Sequence, residues 1–421
     1  MMSPEGTGIH LRECDVAVIG GGPAGLAAAL GARREGADVL ILDREPRLGG
    51  ILNQCIHDGF GLFLYNESIS GPEYAERLME DVDRERIRVE TGAMVLDLSP
   101  DLILRVNSRS GYGVVRAKSV VLAMGCRERT REMIEIPGDR PAGVWTAGSA
   151  QHLVNLQNIR IGREAVILGS GDIGLIMARR LTLEGMAVKG VFEIRPWAGG
   201  LERNVRQCLH DFGIPLELST TVLEIRGRDR ISSVMVGRVD GALRPIAGTE
   251  REIPCDTLLL SVGLIPENEL SKGAGVELSP LTGGAVVDET FMTSIPGIFS
   301  CGNVLQIHDL ADWASFEGFA AGKNAAVFAR SGEKDGRPVL RFRPAAGIQY
   351  VLPQIARRGT AGFDLHFRVT EPRTNVWIEA RGKESGRIYF RRKYFRLLPS
   401  ELQKITWTTD AGEDAELAAH D

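Results

Sequence analysis

The sequence predicts an α/β fold: two nucleotide-binding units, the second inserted in the first, followed by a small, mainly β segment. Two glycine-rich turns about 150 residues apart predict the units. Each turn lies between a β-branched run and a helix of small apolar residues, and each is followed by a second apolar run ending on an acid. That is the βαβ pattern of a Rossmann-like dinucleotide-binding domain. The insertion is predicted by residues 284–288 and 295–303, strand-like runs without a nucleotide turn of their own, leading into an alanine- and glycine-rich helix at about 311–330. This stretch is expected to return and complete the first unit. A change of composition after residue 330 marks the third segment.

The 421 residues exceed the roughly 150 of one typical domain. With 25% charged and 43% apolar residues the chain can bury a core. A net charge of −5 (50 Lys+Arg against 55 Asp+Glu) opposes general attraction to nucleic acid or anionic lipid. Glycine is the outlier, 50 residues or about 12%, where about 7% is usual. Without a collagen-like period, the excess points to tight turns and to ligands lying against main chain. The six cysteines are scattered, with no Cys-x-x-Cys pair, so neither a metal site nor a disulfide framework is expected. Residues 1–13 lack the pattern of a signal peptide, and no apolar run reaches the roughly 18 residues of a membrane span. A cytoplasmic protein with no membrane span and no nucleic-acid partner is expected, its oligomeric state left open.

In the first turn, Gly20-x-Gly22-x-x-Gly25, the first glycine allows a tight turn, the second lets backbone approach a pyrophosphate, and the third lets helix and strand pack closely. Phosphates would meet N–H groups at the helix N-terminus, and Asp43 at the end of the next strand would hydrogen-bond a ribose. The second turn, Gly169-x-Gly171-x-x-Gly174 with Glu193, repeats the pattern. An acid at that strand end favours NAD over NADP, a preference that Arg195 weakens without reversing. The alternative is a unit that has kept the shape and lost the nucleotide.

These residues carry a family resemblance. The Val-Ile-Gly-Gly-Gly-Pro-Ala-Gly start, the paired Gly49-Gly50, the Ala123-Met124-Gly125 strand end, the second turn and residues 298–303 resemble the two-dinucleotide-binding-domain flavoproteins of the pyridine nucleotide-disulfide oxidoreductase superfamily. The resemblance, over about residues 14–330, implies that the first domain holds FAD and the inserted one NAD(H). It implies FAD contacts at Gly20, Gly22, Pro23, Ala24, Gly25, Asp43, Arg44, Gly50, Val95, Gly125, Gly302 and Asn303. For the nicotinamide nucleotide it implies Gly169, Gly171, Asp172, Ile173, Gly174, Glu193 and Gly263. The implied domains are 12–128 with 284–330 for FAD, 160–265 for NAD(H), a basic segment at 331–409 and an acidic tail at 410–421. Residues 49–60, 125–130, 301–309, 348–354 and 399–402 resemble more narrowly the FAD-dependent subunit found with glycerol-3-phosphate dehydrogenase-type partners. They are similar, more distantly, to the dehydrogenase subunits of opine oxidase, dye-linked proline dehydrogenase and cyanide synthase. A dehydrogenase or iron-sulfur partner subunit is thereby implied.

Two departures stand out. A single Cys55 follows the paired glycines, and no cysteine lies between Cys126 and Cys208, so dithiol relay to a protein disulfide is not expected. The superfamily's Gly-Asp is Gly302-Asn303 here, and an amide still hydrogen-bonds a hydroxyl. Cys55 has two readings, a redox thiolate beside the flavin polarised by His57, or a small apolar filler. Both residues are catalytic candidates. His308 and Asp309 would face the flavin or serve as structural partners, and Arg127, Arg129 and Arg131 read best as a solvated face. Residues 331–409 hold 16 Lys+Arg against 7 acids and three strand-like runs, predicting a small antiparallel sheet. Residues 410–421 are expected to fray. The leading functional expectation is hydride transfer between NAD(H) and FAD with electrons passing to or from a partner. Direct dehydrogenation of a small amine or hydroxy acid, and a docking role within a dehydrogenase complex, are the alternatives.

Overall fold

The computed structural model describes residues 10–332, 336–408 and 411–420. They form two compact units, one from residues 1–126 with 266–421 and one from residues 127–265. The first is built on a mixed seven-stranded sheet. Its strands run in the order Arg88–Thr91, Val39–Asp43, His10–Ile19, Gly111–Leu122, Ile103–Ser108, Met94–Leu98, and Ile298–Ser300 also pairs with Gly111–Leu122. His10–Ile19 runs parallel to both neighbours, with Ile19 opposite Leu42 on one side and Leu122 on the other. Val39–Asp43 is buried along its whole length, so its sequence reads as an unbroken apolar run rather than an alternation.

Helix Pro23–Arg34 starts where Pro23 occupies a position whose N–H has no helical partner. It packs against the last helix of the unit, Ala311–Ser331, through small residues. A Cβ on Gly318 would lie 2.2 Å from the Ala24 carbonyl oxygen and one on Gly322 1.9 Å from that of Ala28. Glycine is therefore what permits this helix contact, which ties residues 311–331 back to the first βαβ unit as the sequence implied.

The described residues between 339 and 420 form two sheets. One has the order Ile355–Arg357, Val339–Pro344, Ala415–His420, Arg373–Gly382, Ile388–Leu397; the other is Ile348–Leu352, Phe363–Val369, Gln403–Trp407. Their core contains Phe342, Phe367, Val376, Ile378 and Trp407, while Tyr350 and Leu352 pack with Val95 and Leu98 of the first sheet. Two expectations need correction. The three strand-like runs are divided between two sheets. The tail does not fray over 415–420, because Ala415–His420 pairs with Val339–Pro344 on one side and Arg373–Gly382 on the other. Distant main-chain partners, rather than local propensity, hold that strand.

The second unit has a parallel sheet in the order Leu216–Glu217, Ala187–Phe192, Glu164–Leu168, Thr257–Leu260, Val144–Thr146. A three-stranded antiparallel sheet, Thr220–Gly227, Ile231–Arg238 and Arg251–Pro254, accompanies it. Helix Asp172–Leu183 follows the second glycine-rich turn. Arg131 belongs to no solvated face: it is buried and donates to the carbonyl oxygens of Ile136, Pro137, Gly138 and Asp139. A guanidinium is buried here because main-chain oxygens satisfy its fork of donors.

Candidate functional site

At the first turn, Gly20 has φ +106° and donates its N–H to Leu42 O at 2.8 Å. A Cβ there would lie 2.4 Å from the Ala123 carbonyl oxygen, so only glycine fits between adjacent strand ends. Gly21 N–H donates to Asp43 Oδ2 at 2.5 Å and Glu45 N–H to Asp43 Oδ1 at 2.8 Å. Burial raises the Asp43 carboxyl above its ordinary value against the pull of those two donors. Asp43 thus braces the turn with lone pairs on both oxygens, and a ribose contact would use those that remain.

Beyond the turn the wall is main chain. A Cβ added at Gly22 or Gly125 would meet nothing within 4 Å, and one at Gly50 would come 3.1 Å from Gly22 Cα. The first-turn N–H groups of helix Pro23–Arg34 have no partner within the helix. Arg44 holds Glu267 through Nη1 at 2.9 Å and Nη2 at 3.3 Å. The Val95 side chain lies in the core.

The second turn repeats this frame. Gly169, at φ +91°, donates to Phe192 O at 2.7 Å, and a Cβ on it would lie 2.1 Å from Ser261 O. Ser170 donates to Glu193 Oε2 from its N–H at 2.9 Å and its hydroxyl at 2.6 Å, and Arg195 N–H donates to Glu193 Oε1 at 2.9 Å. Asp172 Oδ1 accepts from Leu201 N–H at 2.8 Å and Asn204 Nδ2 at 2.6 Å, while Gly174 N–H is taken by Ser261 Oγ at 3.1 Å. Gly263, at φ +105°, accepts from Arg129 N–H at 3.0 Å.

In the first unit, Gly302 and Asn303 form a third corner. Gly302 N–H donates to Glu317 Oε2 at 3.0 Å, and Asn303 Oδ1 lies 3.0 Å from His308 N and 3.1 Å from His308 Nδ1. Asn303 Nδ2 lies 3.6 Å from Cys126 Sγ. Asp309 is joined to Arg368 at 3.3 Å. Cys55, half-buried, donates its thiol to Ile51 O at 3.3 Å, and burial pushes that thiol up to about 12. The His57 ring packs on Phe60 at 5.1 Å between centroids.

Residues 14–318 match the family model for pyridine nucleotide-disulphide oxidoreductases. The protein belongs to that family. Hydrogen cyanide synthase subunit HcnB of Pseudomonas protegens is 27% identical over 62% of this chain and 58% of that protein. An opine oxidase subunit of Rhizobium meliloti is 30% identical over 65% of this chain and 54% of that protein. The chain thus spans little more than half the length of these relatives. Among solved structures, thioredoxin reductase of T. acidophilum matches 76% of this chain and all of its own with a TM-score of 0.63 at 24% identity, a likeness of fold.

Membership of this flavoprotein oxidoreductase family implies FAD, and the first unit's residues fit it. Beside the Gly22 and Gly125 backbones lies open space that a Cβ would occupy, and Gly50 packs against Gly22. Among the described residues, no helix is long and apolar enough to cross a membrane. Sequence reasoning did not single out Glu317, Gln306 or His366. A visible signal existed for Glu317, an acid amid the alanines and glycines of the helix expected at about 311–330. None existed for His366, which arrives from the strand Phe363–Val369.

Proposed function

We propose that this oxidoreductase moves a hydride between a nicotinamide nucleotide held by residues 160–265 and FAD held by residues 12–128 with 284–330, and exchanges electrons with a partner redox centre. The observation that supports this best is the pair of glycine-rich turns, each braced by the acid that ends its second strand. FAD supplies the redox chemistry when bound; the chain binds, orients and excludes water. Gly20, Gly22, Pro23, Ala24 and Gly25 would bring main chain against the pyrophosphate, with Asp43 and Arg44 toward the ribose and Gly50, Val95, Gly125, Gly302 and Asn303 along the remainder. On the other turn, Gly169, Gly171, Asp172, Ile173, Gly174 and Gly263 would line the nucleotide. Glu193 at that strand end favours the free ribose hydroxyl of NAD over NADP, a preference that Arg195, two residues on, weakens without reversing.

A partner protein is supported by the names of the two relatives, each of which is a subunit. Cys55 and His57 take a modest place in this reading. A thiol raised to about 12 stays protonated near neutrality, so Cys55 serves as a wall residue and a thiolate-flavin charge-transfer band is expected only at strongly alkaline pH.

Anaerobic titration of the purified protein with NADH and NADPH, followed through the flavin spectrum, tests the proposal. Bleaching by NADH at lower concentration than by NADPH is expected. Protein that releases no flavin on denaturation contradicts it. The second reading, direct dehydrogenation of an amine or hydroxy acid, is favoured by the opine oxidase relative. Bleaching by such substrates and not by NADH would replace the first with the second.

A further inference from the structure

We propose that Asn303 faces the FAD site as a hydrogen-bond donor, its amide locked in that orientation by His308, which is itself held by Glu317. The proposal rests on the FAD reading above. The His308 main-chain N–H can only donate, and the Asn303 atom 3.0 Å from it is therefore the amide oxygen. That oxygen also lies 3.1 Å from His308 Nδ1, so Nδ1 carries a hydrogen. His308 Nε2 then faces Glu317 Oε1 at 3.0 Å, with both side chains only 2% exposed. Two lone pairs cannot meet at that distance without a proton between them.

Glu317 is fixed from several directions. Gly302 N–H holds its Oε2 at 3.0 Å, the Gln306 amide donates to its Oε1, and His366 Nδ1 lies 3.4 Å from the same oxygen. Burial raises the carboxyl, but the facing His308 and His366 outweigh it and leave it well below its ordinary range. Cys301, also beside Glu317, is kept a thiol by burial. Glu317 therefore secures both the Gly302 turn and the ring that secures Asn303.

The consequence falls on Asn303. Its oxygen is engaged twice, and its remaining polar atom, Nδ2, lies 3.6 Å from Cys126 Sγ, a weak acceptor. The half-buried amide thus offers an NH₂ group to an oxygen of FAD. An aspartate here would instead put a second carboxylate oxygen in that position and reverse the polarity. His308 and Glu317 are positioning residues; Asn303 makes the contact.

Four measurements on the 421-residue chain test this. Apoprotein is reconstituted with FAD and the Kd read from flavin fluorescence. Asn303→Ala and His308→Phe should each weaken binding roughly three- to tenfold, and the double variant should be no weaker than Asn303→Ala alone. Equal losses from His308→Phe in both backgrounds would mean a merely structural histidine and overturn the lock. His308→Gln, which keeps an amide donor, should restore most of the affinity and covers the case in which His308→Phe fails to fold; a loss as large as with Phe counts against the lock. Asn303→Asp should bind FAD no better than Asn303→Ala; tighter binding overturns the donor assignment. Independently of FAD, nitrogen-15 NMR of the wild-type histidine side chains should show a hydrogen on His308 Nδ1, and a bare Nδ1 overturns the lock. Wild-type apoprotein that takes up no FAD overturns the underlying reading, whereas uptake without coupling overturns only the lock.

Discussion

At the first glycine-rich turn, Gly20 N–H meets Leu42 O and Gly21 N–H meets Asp43; at the second, Gly169 N–H meets Phe192 O and Ser170 N–H meets Glu193. The frames superpose in their logic, yet they differ in what surrounds the helix start. Around Gly22 and Gly50 the first turn is bare main chain. At the second, Ser261 Oγ already accepts the Gly174 N–H, and Asp172 accepts from Leu201 and Asn204. A dinucleotide at the first turn would lie against that main chain. At the second it would compete with contacts the protein makes for itself. The difference suits a cofactor retained at one turn and a substrate nucleotide that comes and goes at the other.

The largest effects should come from the glycines that begin each frame. Gly20→Val and Gly169→Val each force a Cβ into a carbonyl oxygen at positive φ, and each should destabilise its own unit by roughly 2–5 kcal/mol, read as a lowered unfolding midpoint. Next come the bracing acids. Asp43→Asn and Glu193→Gln should each lose about 1–3 kcal/mol, because each carboxylate accepts at least two donors that a neutral amide satisfies poorly. For Asp43 the sign of the pH dependence follows from its burial. Its folded carboxyl binds a proton at higher pH than the unfolded chain does, so the stabilising uptake is complete below the unfolded value, near 3.8, and is lost as pH rises through the folded value. Denaturation from pH 7 down toward pH 4 should therefore show wild type gaining on Asp43→Asn; an unchanged difference contradicts the buried-brace account. The smallest effect is expected from Ser261→Ala, which frees the Gly174 N–H and should tighten NADH binding roughly two- to threefold, read by titration.

Both frames were legible in the sequence because glycine spacing, strand, helix and terminal acid all lie within one short stretch of chain. The return of residues 311–331 was legible too, since the stretch that leads into it carries no nucleotide turn of its own. What escaped depends on distant partners. Ala415–His420 has a sequence of low β propensity and becomes a strand only between two others. Arg131 reads as a surface charge until the carbonyl oxygens of residues 136–139 curl around it. His366 reaches Glu317 from the distant strand Phe363–Val369, so the corner at Asn303 could not be assembled from spacing alone.

The division of labour between the turns is tested most directly by the flavin content of three purified proteins. Wild type should release equimolar FAD on denaturation, Gly20→Val none, and Gly169→Val a near-equimolar amount that NADH no longer bleaches. Flavin retained in Gly20→Val, or lost from folded Gly169→Val alone, would contradict the assignment of FAD to the first turn.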